Sequence, residues 1–302
     1  MRFHSGSSVP SVSATAAAWA FLSPFLILSG IFFIYPFLWA TVLAFYQTSG
    51  SLHSAFVGWS NFAFVLTDAD FFRALRNTTV FALFSVFLQL PLSLGLALLL
   101  NSRKDRWKGF FRLLLFSPHL VGPIFVGILF SVLFTSRFGM INRFLHHISG
   151  WGLELRWLGD PALIMPALVL TSLWMYVGFN MIYFLAGLQN VSDDLMDAAR
   201  VDGAGPWQRF LHVILPAIKP VALFVVIMST IGSFQLFELP YALLNGTGGP
   251  DNAGLTIVMY LYQHAFEAGD LGTGAAVGWI LALIIFAISM AQIRISKGLE
   301  SP

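Results

Sequence analysis

The sequence predicts an all-α membrane protein with six transmembrane helices. Three observations predict it: the composition, the length of the apolar runs, and the placement of the basic residues. Of 302 residues, 57% are hydrophobic and only 10% charged, whereas a soluble domain carries roughly 25% charged residues. So few polar side chains cannot cover a water-facing surface. The 31 phenylalanines, with Leu, Ile and Val, belong to the types that favour the bilayer centre by about 0.3–0.6 kcal/mol each.

A spanning helix needs about 20 mostly apolar residues, because ~30 Å of hydrocarbon is crossed at about 1.5 Å per residue. Six stretches qualify: Ala17–Phe45, Thr78–Leu100, Leu113–Thr135, Ala162–Leu188, Val221–Leu244 and Gly272–Ile293. They are continuously apolar, unlike the alternating strands of about 10 residues that build a barrel. The first run exceeds the roughly 7–15 residues of a signal-peptide core, and Ala16, Ala17 and Ala18 precede it where a cleavage site would follow, so it reads as a retained anchor.

Basic residues orient the spans. With the N-terminus inside, the inner segments hold Arg2, Arg103, Lys104, Arg106, Lys108, Arg112, Arg200, Arg209, Lys219, Arg294 and Lys297. The outer segments hold Arg73, Arg76, Arg137, Arg143 and Arg156. This excess follows the positive-inside bias and puts both termini in the cytoplasm. The chain divides into a cytoplasmic tail (1–16), one transmembrane domain (17–293) and a second tail (294–302). Pro36, Pro91, Pro118, Pro123, Gly178 and Gly232 lie within spans, either as tolerated kinks or as hinges.

Several chemistries are excluded or unsupported. There is no cysteine, hence no disulfide or thiolate chemistry. The basic residues are dispersed, against a nucleic-acid footprint. No Gly-x-x-x-x-Gly-Lys-Ser/Thr loop is present to cradle ATP phosphates, and no local motif announces a Ser/His/Asp triad. His146-His147 reads as a solvated pair or, alternatively, a metal site, but no cysteine or carboxylate stands at ligand spacing.

The inner connection from Gln189 to Pro220 reads QNVSDDLMDAARVDGAGPWQRFLHVILPAIKP. Ser192 is a candidate N-cap, followed by Asp193, Asp194 and Asp197, whose carboxylates suit a helix N-terminus. Gly203 and Gly205 allow a corner, and Pro206 suits the first turn of a second short helix presenting Trp207, Phe210, Leu211 and Ile214. Helix, corner and helix make a stiff knob whose apolar and acidic groups need a partner.

Asp197-Ala198-Ala199, Asp202-Gly203-Ala204, Phe210 and Leu215-Pro216 resemble the EAA loop of importer permeases of the ATP-binding-cassette class. Asp197 stands where that family usually has Glu. Gly58-Trp59-Ser60-Asn61-Phe62 with Ala74-Leu75-Arg76-Asn77-Thr78, and Thr247-Gly248-Gly249-Pro250 with Tyr260-Leu261-Tyr262 and Ala265-Phe266, extend the likeness to its carbohydrate-type subfamily, the maltose- and glycerol-phosphate-type permeases. The resemblance implies a type I ABC importer permease fold in a bacterial inner membrane. It also implies that segment 190–217 couples the spans to a partner ATPase. Its implied partners are two ATPase subunits carrying ATP and Mg, a second, different permease chain, and an external solute-binding protein that docks on Tyr46–Asn77 and Asn245–Asp270. This chain itself would bind no cofactor or metal and catalyse no reaction.

Polar groups inside spans are costly and tend to face a cavity or a partner. Tyr176, Asn180, Tyr183, Gln235 and Glu238 therefore read as a solute pathway, since hydroxyls and amides beside aromatic faces suit a sugar, or else as interhelical hydrogen bonds. An ion-coupled secondary transporter is the alternative class, and it would need intramembrane carboxylates. Only Glu238 is available.

Overall fold

The computed structural model describes residues 14–49, 53–102, 107–150 and 155–298. Residues 1–13 and 299–302 of the predicted tails, and the basic residues Arg2, Arg103, Lys104 and Arg106, lie outside the described residues. Among the described residues, five helices are long and apolar enough to cross a bilayer: α1 (Ala16–Leu43), α2 (Ala69–Asn101), α6 (Pro161–Leu188), α8 (Pro206–Phe234) and α11 (Leu271–Gly298). A sixth crossing exists only if the pair α3 (Lys108–Leu120) and α4 (Pro123–Leu133), bent by 93°, counts as one span. The remaining elements used below are a hairpin of β1 (Tyr46–Ser49) and β2 (His53–Phe56), and helices α5 (Met140–Ser149), α7 (Asp193–Val201), α9 (Glu238–Leu243) and α10 (Ile257–Tyr262).

Three expectations change. The predicted third span, Leu113–Thr135, is broken: Pro118 and Pro123 cannot donate backbone hydrogen bonds, and Val121 and Gly122 are extended (ψ 130° and 142°). The predicted fifth span, Val221–Leu244, ends instead at Phe234, and a break at Gln235–Phe237 leads into the short helix α9. That span begins at Pro206, so the second helix of the knob is continuous with it rather than separate. The fold is also not wholly helical. The hairpin pairs Tyr46 with Phe56 and Ser49 with His53, antiparallel.

Prolines explain most of the irregularity inside the long helices. Wide π-turns at Gly30–Ile34, Ser85–Gln89 and Phe210–Ile214 each end two residues before a proline: Pro36, Pro91 and Pro216. A proline ring clashes with the carbonyl four residues back and leaves it without its usual donor. The widened turn relieves that clash and lets the helix continue.

Lipid gives apolar helices no hydrophobic reason to associate, so close packing must supply it, and small residues permit that approach. A Cβ on Gly178 of α6 would overlap the Leu115 carbonyl of α3, and one on Gly127 of α4 would sit 2.7 Å from the Ala242 Cβ of α9. Ser93 of α2 donates to the Val177 carbonyl of α6 at 2.9 Å. One core joins α4, α6 and α9 through Phe130, Leu168, Leu239 and Leu243. A second joins α2, α6 and α8 nearer the knob through Ala97, Met181, Leu185 and Ile218. A third packs Phe71, Tyr260 and Val277 at the opposite end.

Several residues that carry the sequence resemblance are hydrogen-bonding staples of that opposite end. Asn61 donates to the Ala44 and Tyr46 carbonyls, both at 2.9 Å. Asn77 donates to the Asn252 and Leu255 carbonyls at 2.8 and 3.0 Å. Thr78 accepts from the Ile257 amide at 3.0 Å. Tyr260 donates to Asp68; burial and then that carboxylate push its hydroxyl far above the usual range, so it remains a donor at physiological pH. Tyr46–Asn77 and Asn245–Asp270 are thereby joined into one layer.

Gly178→Ala should lower the unfolding midpoint in detergent, at a cost of about 1–3 kcal/mol for overpacking. Gly232→Ala, where a Cβ meets nothing within 4 Å, should leave it unchanged or raise it. Asn77→Ala should cost about 1–3 kcal/mol, because two part-buried carbonyls lose their donor.

Candidate functional site

The knob is built by local backbone rules. Ser192 occupies the N-cap position of α7 with extended ψ (129°), although its side chain makes no capping bond. Asp193 and Asp194 stand in the first turn and Arg200 in the last, each matching the helix dipole. Asp197 and Arg200 form an exposed ion pair at 2.6 Å; at a solvated surface such a pair contributes ~1 kcal/mol or less.

Gly203 closes α7 with φ +77°. Its amide bonds to the Arg200 carbonyl at 3.1 Å, and the Ala204 amide reaches back to Ala199 at 2.9 Å. This crossed pair is a Schellman motif, which places a residue of left-handed conformation just past the helix and favours glycine there. The spacing from Ala199 to Gly203 is thus a helix-termination rule. Gly205 donates to Gln208 Oε1 at 2.8 Å, opening α8 with Pro206 in its first turn. Trp207 stacks on Phe210 at 5.4 Å, and α7 packs on the π-turn Phe210–Ile214 that Pro216 imposes. Leu195 (58% exposed), Val201 (88%) and Trp207 (68%) leave an apolar surface uncovered. Ala198, Asp202, Leu215 and Pro216 are also exposed, whereas Ala199, Ala204 and Phe210 are half-buried.

The residues read as a solute pathway fall into two adjoining cavities. One, of about 220 Å³, lies between α2, α6 and α8 and is lined by Tyr176, Asn180 and Tyr183. The other, of about 210 Å³, is lined by Gln235 and Glu238 at the break before α9. Tyr176, Gly232 and Leu236 border both. Asn180 is buried, Tyr176 half-buried, and Gln235 and Glu238 exposed. An aromatic wall runs from His119, stacked on Phe179 with centroids 4.0 Å apart, through Tyr183 to Phe224.

The same cavity holds groups the sequence reading missed. Ser85 and Gln89 on α2, Ser172 on α6, and Ser229 and Ser233 on α8 also line it. Their signal was available, since Ser85 and Gln89 recur four residues apart in an apolar span, a spacing that puts both on one helix face. The Ser85–Gln89 π-turn before Pro91 was not readable in advance. Among the described residues no charged side chain lines the larger cavity, while Glu238 lines the smaller. His146 and His147 lie on α5, distant in sequence from both cavities and exposed.

A bundle of apolar helices with a rigid knob at one end, a tied layer at the other and an internal polar-aromatic cavity defines the chain as a membrane component of a transport system. The family described as binding-protein-dependent transport system inner membrane component matches residues 89–300, and the chain belongs to it. Relatives include the lactose transport system permease protein LacF of Rhizobium radiobacter, 35% identical over 91% of this chain and 92% of that one. The arabinooligosaccharides transport system permease protein AraP of Halalkalibacterium halodurans is 37% identical over 94% and 89%. Among solved structures, a bacterial ABC transporter involved in import of the acidic polysaccharide alginate shares the fold, with a TM-score of 0.81 at 22% identity over 94% of this chain and 96% of its own.

Replacing Gly203 separates backbone conformation from side-chain size. Gly203→Ala should cost about 1 kcal/mol through its left-handed φ and speed hydrogen exchange at the Gly203 and Ala204 amides. Gly203→Asn, which tolerates that conformation, should preserve more of the protection. Equal protection in both variants would remove the Schellman account.

Proposed function

We propose that this chain is the membrane-spanning permease subunit of an ATP-driven, binding-protein-dependent importer for a sugar or related carbohydrate, located in a bacterial inner membrane with both termini cytoplasmic. The observation carrying the coupling role is the knob. Its first helix, α7, is closed by a Schellman motif at Gly203, and its second is the unbroken start of α8, while Leu195, Val201 and Trp207 are left for a partner. A rigid lever joined to a span that lines the cavity can convert closure of a partner ATPase into movement of the cavity wall. A flexible loop would dissipate that displacement.

In this reading ATP and Mg belong to two partner ATPase subunits, which seat Asp197–Pro216. A second permease chain completes the pathway, and the two alternate between outward-open and inward-open states. The external binding protein delivers solute to the layer formed by Tyr46–Asn77 and Asn245–Asp270. The larger cavity suits a neutral, hydroxyl-rich solute. Asn180, Tyr176 and Tyr183 offer hydrogen bonds, and the aromatic wall offers faces for sugar C–H groups. The sugar-transport names of the relatives support the same class.

Gly203→Trp should abolish ATP-driven uptake and co-purification with the ATPase while membrane insertion stays normal; full uptake by that variant would end the coupling role. Tyr176→Ala and Asn180→Ala should each lower uptake roughly 10-fold or more, as loss of a bond to a desolvated polar partner does, yet keep the ATPase bound. Unchanged uptake in both would remove the cavity from the pathway.

A further inference from the structure

Helix α5 bears a surface that neither the knob nor the cavity uses. One flank packs inward, with Ile141 against the core of α4 and α6. Asn142 is buried and fixes the roll of the helix: its amide donates to the Ser136 and Leu155 carbonyls, both at 2.9 Å, and its oxygen accepts from Trp157 Nε1 at 2.8 Å. The C-terminus is closed by Gly150 at φ +67°, its amide bonded to the His146 carbonyl at 2.9 Å. Held at that angle, Met140 (68% exposed), Phe144 (65%) and Ile148 (68%) form an exposed apolar stripe beside the buried flank, and Phe138 (72%) is exposed just before the helix.

Two features identify what covers it. The helix begins seven residues beyond Leu133, where α4 ends, and finishes twelve before Pro161, where α6 starts. Both neighbours are apolar enough to cross or enter a bilayer, and these connections tie α5 to their ends. Charge is one-sided as well. From Ser136 to Ser149 there is no acidic residue, while Arg137, Arg143, His146 and His147 are exposed. At about 100° per residue, Arg143 and His147 border the stripe and His146 lies across the helix from it. An apolar stripe edged by basic side chains is the pattern of a helix lying in a membrane interface, its apolar side chains among acyl chains and its arginine near lipid phosphates.

We propose that α5 docks on the headgroup region of the host bilayer through Met140, Phe144 and Ile148, and so anchors the broken crossing α3–α4 and α6 at a fixed depth. The proposal rests on the chain's spanning a membrane and is independent of the solute. Because the chain contains no cysteine, single-cysteine variants report cleanly. Phe144→Cys, Ile148→Cys and His146→Cys would be labelled with a nitrobenzoxadiazole fluorophore in the full chain, within its purified assembly. The host would be vesicles of phosphatidylcholine and phosphatidylglycerol, with lipids bearing a nitroxide at acyl carbon 5.

The expected result is at least threefold stronger nitroxide quenching at 144 and 148 than at 146, with aqueous iodide showing the reverse order. Quenching by iodide alone at all three positions would overturn the proposal. Shielding of 144 and 148 from both quenchers would overturn it too, showing that a protein covers the stripe. Met140→Cys replaces either stripe variant that fails to assemble.

Discussion

In hydrocarbon, every backbone N–H and C=O must find a partner within the protein, because water is not there to supply one. Much of this structure follows from how that constraint meets proline. Pro36, Pro91 and Pro216 each stand two residues after a π-turn, and in each case the helix continues. Pro118 and Pro123, five residues apart beside extended Val121 and Gly122, exceed what a widened turn absorbs, and the chain turns through 93°. At these five positions proline yields a deformation or a break, whereas Pro24, Pro166 and Pro220 lie inside continuous helix.

Both outcomes lie where function is proposed. The π-turn before Pro91 carries Ser85 and Gln89 of the cavity wall; the one before Pro216 joins the knob to α8. The break between α3 and α4 brings Pro123 to the smaller cavity and holds His119 against Phe179. A second break, at Gln235–Phe237, frees α9 to pack on α4 through Gly127 and Ala242. The two interrupted spans therefore both reach the smaller cavity, through Pro123 and through Gln235–Leu239, where irregular backbone can be satisfied by protein or by a water-lined space rather than lipid.

The knob shows how a sequence motif becomes a backbone shape. Gly203 needs its left-handed φ to end α7, and Pro216 needs the π-turn on which α7 rests. Asp197, the acidic residue of the motif, makes only an exposed pair with Arg200. Backbone geometry, more than side-chain charge, sets the shape of this knob. At the other end the staples from Asn61, Asn77, Thr78 and Tyr260 tie separate segments into one layer, and the middle holds the cavities.

Composition and run length alone determined that this chain lives in a bilayer, because apolar surface on that scale has no other stable environment. The sequence likewise determined the knob: its caps, glycine corner and Pro206 act over five or six residues, within reach of local reading. Tertiary structure decided the rest. Whether Pro123 kinks or breaks a helix depends on what can satisfy the freed groups, and where Val221–Leu244 stops depends on α9 finding α4. The staples Asn61 and Asn77 were visible only as residues of a familiar pattern, since their partners are backbone carbonyls, Asn77's lying more than 170 residues away. The cavity was half legible. Aromatic and amide groups in apolar spans marked Tyr176, Asn180 and Tyr183, but Ser85 and Gln89 became part of it only once packing brought α2 against α6 and α8.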